Sequence, residues 1–194
     1  ETNGNDNDST IKNELDNWYK TNIVDKNLEE YIADSGFCND RSLSTQANNG
    51  DGVQTTGSHT YYRGYQRYVN HTPSLECPNA SNDLFTVTNE KGNQELTYPI
   101  ELITVDELML GGLANGYLNR LSYTYSSSTY WTMSPSYFNV AFAAAFGFYA
   151  NSVGIADYGF WVASGLGVRA IINLNSNVQI SGGIGTANDP FVVG

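Results

Sequence analysis

The C-terminal part of the chain alternates between apolar, β-branched or aromatic segments and turn residues, and this pattern restricts the fold most strongly. Segments of this kind, bounded by Gly, Pro, Asn and Ser, predict short antiparallel strands. The predicted strands cover residues 129–133, 139–149, 155–162 and 168–174, and a last short strand follows Pro190. In the second strand apolar residues recur at every other position, which predicts one crowded face. A mainly antiparallel sheet is therefore expected here.

The N-terminal part predicts helices. Residues 1–9 are polar and are expected to form a flexible leader. Apolar residues then recur at helical spacing over residues 10–23, which predicts an amphipathic helix. A second short helix is expected near residues 28–32, within a helical segment that covers residues 10–35. Residues 10–194 are expected to form a single domain, because that length suits one core with an elaborate surface.

A capping box predicts another helix in the middle of the chain. Thr104 lies three residues before Glu107, so each side chain can bond to the other residue's backbone N–H group. Apolar residues follow, and the glycine pair at 111–112 ends the pattern. We expect a short helix that begins after Thr104.

The region between these helices predicts a loop followed by an aromatic cluster. Residues 39–58 lack apolar periodicity, which predicts a long loop. Beyond it, four tyrosines alternate with two arginines between residues 61 and 68. This pattern favours a packed aromatic face whose arginines extend their charged ends to solvent.

Composition narrows the class of partner. Charged residues make up 15% of the chain, the net charge is −11, and there are 14 tyrosines and 19 glycines. Such a charge repels nucleic-acid phosphates and is not attracted to anionic lipid. No stretch reaches the roughly 18 apolar residues of a membrane span. A low-charge surface rich in Tyr, Asn, Ser and Gly is typical of extracellular binding domains.

The chain has two cysteines, Cys38 and Cys77. An even number of cysteines in an otherwise extracellular composition favours one disulfide. The alternative is a pair of buried thiols in a reducing compartment.

No pattern of catalytic or metal-binding residues is strong. His59 and His71 could join the two cysteines at a zinc site, but the close ligand pairs of such sites are missing. Ser134, a histidine and Asp157 could in principle form a catalytic triad. The sequence around Ser134 does not resemble a nucleophile elbow, which argues against one. We therefore predict no catalytic residue, no metal ligand and no cofactor. Structural calcium at the Asn/Asp/Gly stretches 3–8 and 48–51 is a weaker alternative.

Several blocks together resemble a known family. They are, in order, IKNELDNWYKTN, FCNDRSL, LTYPIELITVDEL, YWTMSPSYF, GVRAIINL and GTANDPFVV. The chain resembles exported, prepilin-associated surface proteins of Gram-positive gut bacteria. Their C-terminal half is similar to the C-type-lectin-like fold of formylglycine-generating enzymes. The resemblance implies an α+β fold, with N-terminal helices before a twisted, mainly antiparallel C-type-lectin-like domain.

The match has two limits. Gly167, Val168 and Arg169 match the strand that locks the core in this fold, but Ala170 stands where the family usually has proline. Formylglycine-generating enzymes need cysteines in the C-terminal core, whereas both cysteines here precede residue 80. The resemblance therefore implies the scaffold and not the enzyme's chemistry.

The resemblance also implies where a ligand binds. Related lectin-like proteins that are diversified by retroelements carry their variable positions just before the "GVR" strand, which corresponds to residues 139–164 here. The alternative is that the aromatic residues of this region belong to the core. The predicted ligand-binding residues are Asn139, Val140, Phe142, Ala144, Phe148, Tyr149, Ile155, Asp157, Tyr158, Phe160 and Trp161.

The expected function is therefore non-enzymatic ligand recognition at the cell surface. The partner would be a protein or a glycan, and pilus subunits are a further expected partner. Two alternatives remain at this point: a structural, pilin-like subunit of a surface fibre and, less favoured, an enzyme on the same scaffold.

Overall fold

A computed structural model describes residues 8–46, 49–50, 59–186 and 188–193. Most of the predicted leader, both candidate calcium stretches except residues 8, 49 and 50, and the second half of the predicted loop lie outside these residues. The described parts of the loop, residues 39–46 and 49–50, contain no helix or named strand, and Leu43 makes a single bridge to Tyr62.

Two predicted helices are present, those that begin at Thr10 and after Thr104. The helices Arg63–Asn70 and Ala80–Asp83 were not predicted, and the predicted helical segment 10–35 ends in a strand at Ile32–Ala33. The described residues contain two 3-10 helices, Val24–Lys26 and Glu29–Tyr31, and four α-helices: α1 (Thr10–Asn22), α2 (Arg63–Asn70), α3 (Ala80–Asp83) and α4 (Val105–Leu110). Ser9 caps α1 by accepting a hydrogen bond from the Lys12 backbone N–H group at 3.1 Å. The capping box at Thr104 and Glu107 is confirmed, with both reciprocal hydrogen bonds present.

Twelve strands lie in the described residues, and all their pairings are antiparallel. They are β1 (Ile32–Ala33), β2 (Phe37–Cys38), β3 (His59–Tyr61), β4 (Leu84–Phe85), β5 (Glu101–Leu102), β6 (Tyr130–Asn139), β7 (Ala144–Ala150), β8 (Ala156–Trp161), β9 (Ala170–Ile171), β10 (Asn173–Leu174), β11 (Ile180–Gly182) and β12 (Val192–Val193). The main sheet is curled and has the order β3-β6-β7-β8. Four further pairs are β1-β10, β2-β4, β5-β9 and β11-β12. The chain is therefore α+β, as predicted.

Strand β6 is longer than predicted. The predicted strand ended at residue 133, before Ser134–Pro135. Strand β6 continues to Asn139, and the pairing with β7 shifts register on both sides of Pro135. Proline lacks a backbone N–H group, so it is tolerated in a sheet where such an irregularity interrupts the ladder. The predicted strand 139–149 begins later than expected, at Ala144, and extends to Ala150. Residues 140–143 form the turn between β6 and β7, and Ala143 adopts a φ of 48°.

The predicted buried strand at 168–174 is wrong. This segment divides into β9 and β10, which pair with the separate strands β5 and β1. Val168 and Arg169 lie at the surface. The Arg169 guanidinium lies over the Tyr130 ring at 5.6 Å and donates a hydrogen bond to the Thr124 carbonyl at 2.7 Å. A segment that bends between two partners is not enclosed on both faces.

The main sheet has a packed cluster on each face. Tyr130 and Trp131 are neighbours in β6, so their side chains lie on opposite faces of the sheet. The first core cluster, which includes residues of α2 and α4, contains Tyr68, Val105, Leu108, Tyr130 and Phe148. The second core cluster, which includes residues of α1 and β5, contains Leu15, Tyr19, Ile100, Leu102 and Trp131.

Polar and covalent links hold the region around α2. The disulfide between Cys38 and Cys77 is confirmed, and it joins β2 to the segment before α3. A disulfide that closes a loop of this kind stabilises a fold by about 2–4 kcal/mol. Arg67 pairs with Asp40 at 2.6 Å and with Asp106 at 2.7 Å.

No described helix is both long enough and apolar enough to cross a membrane.

Candidate binding surface

The main sheet and α2 together carry a set of contacting aromatic rings that are only partly covered. Its members come from β3, α2, β6, β7 and β8, and Tyr158 is the most exposed of them. We call this set the aromatic surface, and it consists of His59, Tyr61, Tyr65, Tyr137, Phe146 and Tyr158.

The rings form a continuous array. The Tyr61 ring centroid lies 4.3 Å from that of Tyr65 and 5.5 Å from that of Tyr137. Tyr137 stacks on Phe146 at 4.6 Å with only 7° between the ring planes. Tyr158 meets Tyr65 edge to face at 5.0 Å. Such contacts stabilise aromatic pairs by about 0.5–1.5 kcal/mol beyond area burial, so the array is expected to be rigid.

A bulge in β8 aligns the rings of the β7–β8 hairpin. Phe148 pairs with Tyr158 and Phe146 pairs with Trp161, so β8 contains one extra residue between these pairs. Gly159 occupies this bulge with a φ of 88°, a conformation that favours glycine. Because directly paired residues share a face of the sheet, Tyr158 and Trp161 lie on the same face as Phe146 and Phe148.

Three tyrosines of this surface, Tyr61, Tyr65 and Tyr137, have a raised pKa, which favours the protonated hydroxyl. Burial raises the pKa of Tyr61 and Tyr137 above its usual value, and neighbouring tyrosines raise it further. The pKa of Tyr65 is raised by burial and by its hydrogen bond with Tyr158. A protonated phenol can both donate and accept a hydrogen bond. The surface therefore combines flat apolar rings with neutral polar groups.

One end of the aromatic surface is tied to the β6–β7 turn. The Asn139 side-chain amide lies 3.2 Å from His59 Nε2, and its Oδ1 atom accepts a hydrogen bond from the Phe142 backbone N–H group at 3.2 Å. Phe142 itself is 78% exposed, and Trp161 in β8 is 55% exposed. These two large apolar side chains, together with Tyr158 at 39%, are the predicted ligand-binding residues most available to a partner.

Phe148, one of the predicted ligand-binding residues, lies in the core and not at the surface. Its side chain is completely buried in the first core cluster, where its ring meets Tyr68 at 5.1 Å. A side chain without exposed surface cannot contact a ligand on this face. Its place in the core follows from the same alternation that predicted the strand, because Phe148 faces inward along β7 beneath α2.

Other predicted residues lie on the opposite face of the sheet. Tyr149 and Phe160 pack against the second core cluster, with their ring centroids 5.0 Å apart. The Tyr149 hydroxyl donates a hydrogen bond to Asp157 at 3.0 Å, and burial together with this carboxylate raises the pKa of Tyr149 to about 12. These side chains are therefore not part of the aromatic surface.

The remaining predicted residues are at the two ends of the hairpins. Val140 and Ala144 flank the β6–β7 turn and are half-buried. Ile155 lies in the β7–β8 turn at the opposite end, where its backbone N–H group donates to Asn151 Oδ1 at 3.0 Å. The region 139–164 is thus one continuous stretch of chain that contributes to both faces and both ends of the sheet.

Four of the six residues of the aromatic surface lie outside the region that the sequence predicted. They are His59, Tyr61, Tyr65 and Tyr137. The spacing of Tyr61 and Tyr65 near the start of a helix was a local signal that these rings meet. Their contact with Tyr137 depends on the pairing of β3 with β6, which joins residues far apart in the chain.

The residues of the alternative catalytic and zinc sites have other partners. Ser134 Oγ accepts a hydrogen bond from the Val105 backbone N–H group at 3.0 Å, which supports the start of α4. The disulfide removes both thiols that the zinc alternative requires. Within the described ranges, no group of three or more His, Cys, Asp or Glu side chains is placed to hold a metal ion.

Comparison with known proteins identifies no relative of this chain: no family model, curated protein or solved structure matches it. A proposal about function therefore rests on the aromatic surface and the α+β fold.

Proposed function

We propose that this chain is a non-enzymatic ligand-recognition domain displayed at a cell surface, and that it binds its ligand through the aromatic surface. Phe142 and Trp161 would extend the contact at its border. One observation supports this proposal most strongly: six aromatic side chains form a continuous array of ring contacts that no other part of the described chain covers completely.

The chemistry of the surface suits a glycan or a protein ligand. Flat rings pack against the apolar face of a sugar or against the side chains of a peptide, and the tyrosine hydroxyls bond to polar groups at the edges. Tyrosine is favoured in binding surfaces because it supplies a large contact area and loses little conformational entropy. Partly covered aromatic residues in a patch are typical of interaction sites.

The proposed extracellular location rests on two features. The disulfide between Cys38 and Cys77 is of the kind that persists in oxidising compartments. The low content of charged residues, at 15%, and the many tyrosines suit a secreted binding domain. Both features support an adhesin-like or pilin-associated display role.

The proposal extends to the exported, prepilin-associated family and its lectin-like scaffold. If residues 139–164 vary between sibling proteins, the substitutions that alter ligand choice would fall at Phe142, Tyr158 and Trp161, since these are exposed. Buried Phe148 would stay constant. A near-identical repeat of the codons for residues 130–170 beside the gene would support retroelement diversification.

A glycan and protein array tests the proposal. The labelled wild-type chain and the Trp161→Ser variant are applied to the same array, with Tyr123→Ser as the matched control. Tyr123 is also an exposed aromatic residue, but it lies outside the aromatic surface. We expect Trp161→Ser to lose the wild-type signals and Tyr123→Ser to keep them. Equal loss in both variants would contradict the proposal.

A structural role in a fibre is the second candidate. The C-terminal hairpin β11-β12 exposes several large apolar side chains, which would be covered if subunits associate: Ile180, Ile184, Phe191 and Val192. Light scattering over a range of concentrations distinguishes the two functions. Polymers that Val192→Ser prevents would favour the fibre, whereas a monomer that binds array ligands would favour recognition.

A further inference from the structure

A cleft lies beside the aromatic surface, against the face of the sheet that carries Trp131. It has a volume of about 560 Å³ and is bounded by the start of α1, by β5 and by the β6–β7 pair. Tyr137 and Phe146 belong both to its wall and to the aromatic surface. A cleft of this volume is in the range of small-molecule sites in proteins.

Three aromatic residues outside the aromatic surface line the cleft: Tyr62, Phe85 and Trp131. The face of an aromatic ring carries partial negative charge and attracts organic cations, with Trp the most effective ring. Phe85 already illustrates this attraction, since the Arg41 guanidinium lies 5.4 Å from its ring centroid.

Carboxylates outnumber cations among the charged residues that line the cleft. Glu101 lines its interior, and Asp8 and Glu95 line it at exposed positions. The two lining cations, Lys12 and Arg41, each pair with a carboxylate that does not line the cleft. Within the described chain, no side chain donates a hydrogen bond to the Glu101 carboxylate. The lining therefore favours a cation over an anion.

Two buried acceptors point to the same ligand chemistry. Asn39 lines the cleft, and its Oδ1 atom is buried and accepts no hydrogen bond in the described part of the chain. Burial raises the pKa of Glu101 to about 7, despite the nearby Lys12 ammonium and the Leu102 backbone N–H group. Buried acceptors are normally satisfied, so a ligand that brings donors and positive charge would compensate both groups.

We propose that this cleft binds an organic cation, namely an ammonium group on an apolar body. The ammonium would lie near Glu101, and the apolar body would pack against Trp131 and Phe85. Free alkylamines and the lysine side chain of a peptide both have this chemistry. The site is separate from the proposed ligand contact on the aromatic surface, so failure of the array experiment leaves this proposal open to its own test.

Isothermal titration calorimetry with three hexyl compounds tests the proposal on the unaltered chain. Hexylammonium, hexanol and hexanoate share an apolar body and differ in charge. We expect hexylammonium to bind at least about tenfold more tightly than hexanol, which corresponds to about 1.4 kcal/mol. Hexanoate should bind most weakly. Equal binding of all three compounds, or no binding of hexylammonium, would overturn the proposal.

Variants then assign the carboxylate. Glu101→Gln keeps the size of the side chain and should weaken hexylammonium binding at least about tenfold. Glu90→Gln, at an exposed glutamate that does not line the cleft, is the matched control and should change nothing. Undiminished binding by Glu101→Gln would contradict the assignment.

Titration with Nα-acetyl-lysine N-methylamide identifies the source of the cation: tighter binding than hexylammonium indicates a peptide lysine, and weaker binding indicates a free amine.

Discussion

Both faces of the main sheet carry aromatic rings, but they differ in how far helices cover them. On the Trp131 face, α1, thirteen residues long, packs with the second core cluster and encloses it. On the opposite face, α2 has eight residues and buries Tyr68 and Phe148, while the rings beyond Tyr65 stay partly open. The two faces therefore differ in helix coverage more than in aromatic content, and we propose that the less covered face binds the ligand.

This contrast explains why the predicted ligand-binding set divides. Alternate residues of a strand lie on opposite faces, so a continuous stretch of chain cannot supply one surface alone. In β8, Asp157 and Phe160 belong to the covered face, and Tyr158 and Trp161 to the open one. Substitutions at covered and at open rings are thus expected to differ in kind: those at covered rings reduce stability, and those at open rings reduce binding.

The largest expected effect is on stability, at Phe148. Phe148→Ala should lower the free energy of unfolding by about 3–5 kcal/mol, because it removes a fully buried ring and leaves a cavity. Urea denaturation followed by circular dichroism measures this loss. A loss below about 1 kcal/mol would mean that the first core cluster is less well packed than the contact of Phe148 with Tyr68 indicates.

An intermediate and pH-dependent effect is expected at Glu101, on the cleft side of the covered face. Its pKa is raised from 4.5 to about 7, chiefly by burial; Lys12 favours its ionised form, and Asp16 and Asp8 oppose it. The folded chain therefore holds this proton more tightly than the unfolded chain, and the stability of the fold falls as pH rises from about 4.5 through 7.

Glu101→Gln removes this titration. Relative to wild type, the variant should gain stability between pH 5 and pH 8, by at most about 3 kcal/mol. Denaturant unfolding at several pH values measures the difference. A difference between variant and wild type that stays constant over this range would contradict the assigned pKa.

The smallest effect on stability is expected at the open face. Tyr158→Ser should lower the free energy of unfolding by about 1–2 kcal/mol, less than Phe148→Ala, because the ring is already 39% exposed although it contacts Tyr65, Tyr68 and Phe148. The same substitution should abolish ligand binding in the array. A stability loss as large as that of Phe148→Ala would place Tyr158 in the core and remove the contrast between covered and open rings.

Local sequence signals predicted the parts of the fold that depend on neighbouring residues. The helix beginning at Thr10, the capping box at Thr104 and the β7–β8 hairpin each rest on contacts within a few residues or across a short turn. The disulfide followed from the number of cysteines and the composition. Such features follow from spacing and residue type alone.

Features that depend on long-range pairing were not predicted. The division of residues 168–174 depends on β5 and β1, which lie about 70 and 140 residues earlier in the chain. The continuation of β6 past Pro135 depends on a bulge that only the partner strand defines. The aromatic surface is of the same kind, since β3 brings Tyr61 to Tyr137. No local pattern specifies which distant strand becomes the neighbour.

Hydroxyl-radical footprinting with mass spectrometry tests the central claim most directly. It measures the oxidation rate of individual aromatic side chains with and without a ligand selected on the array. We predict that the rates at Tyr61, Tyr158 and Trp161 fall when ligand is bound. The exposed tyrosines Tyr117 and Tyr123, outside the aromatic surface, should react at unchanged rates. Protection of Tyr117 and Tyr123 with unchanged rates at the other three residues would contradict recognition through the aromatic surface.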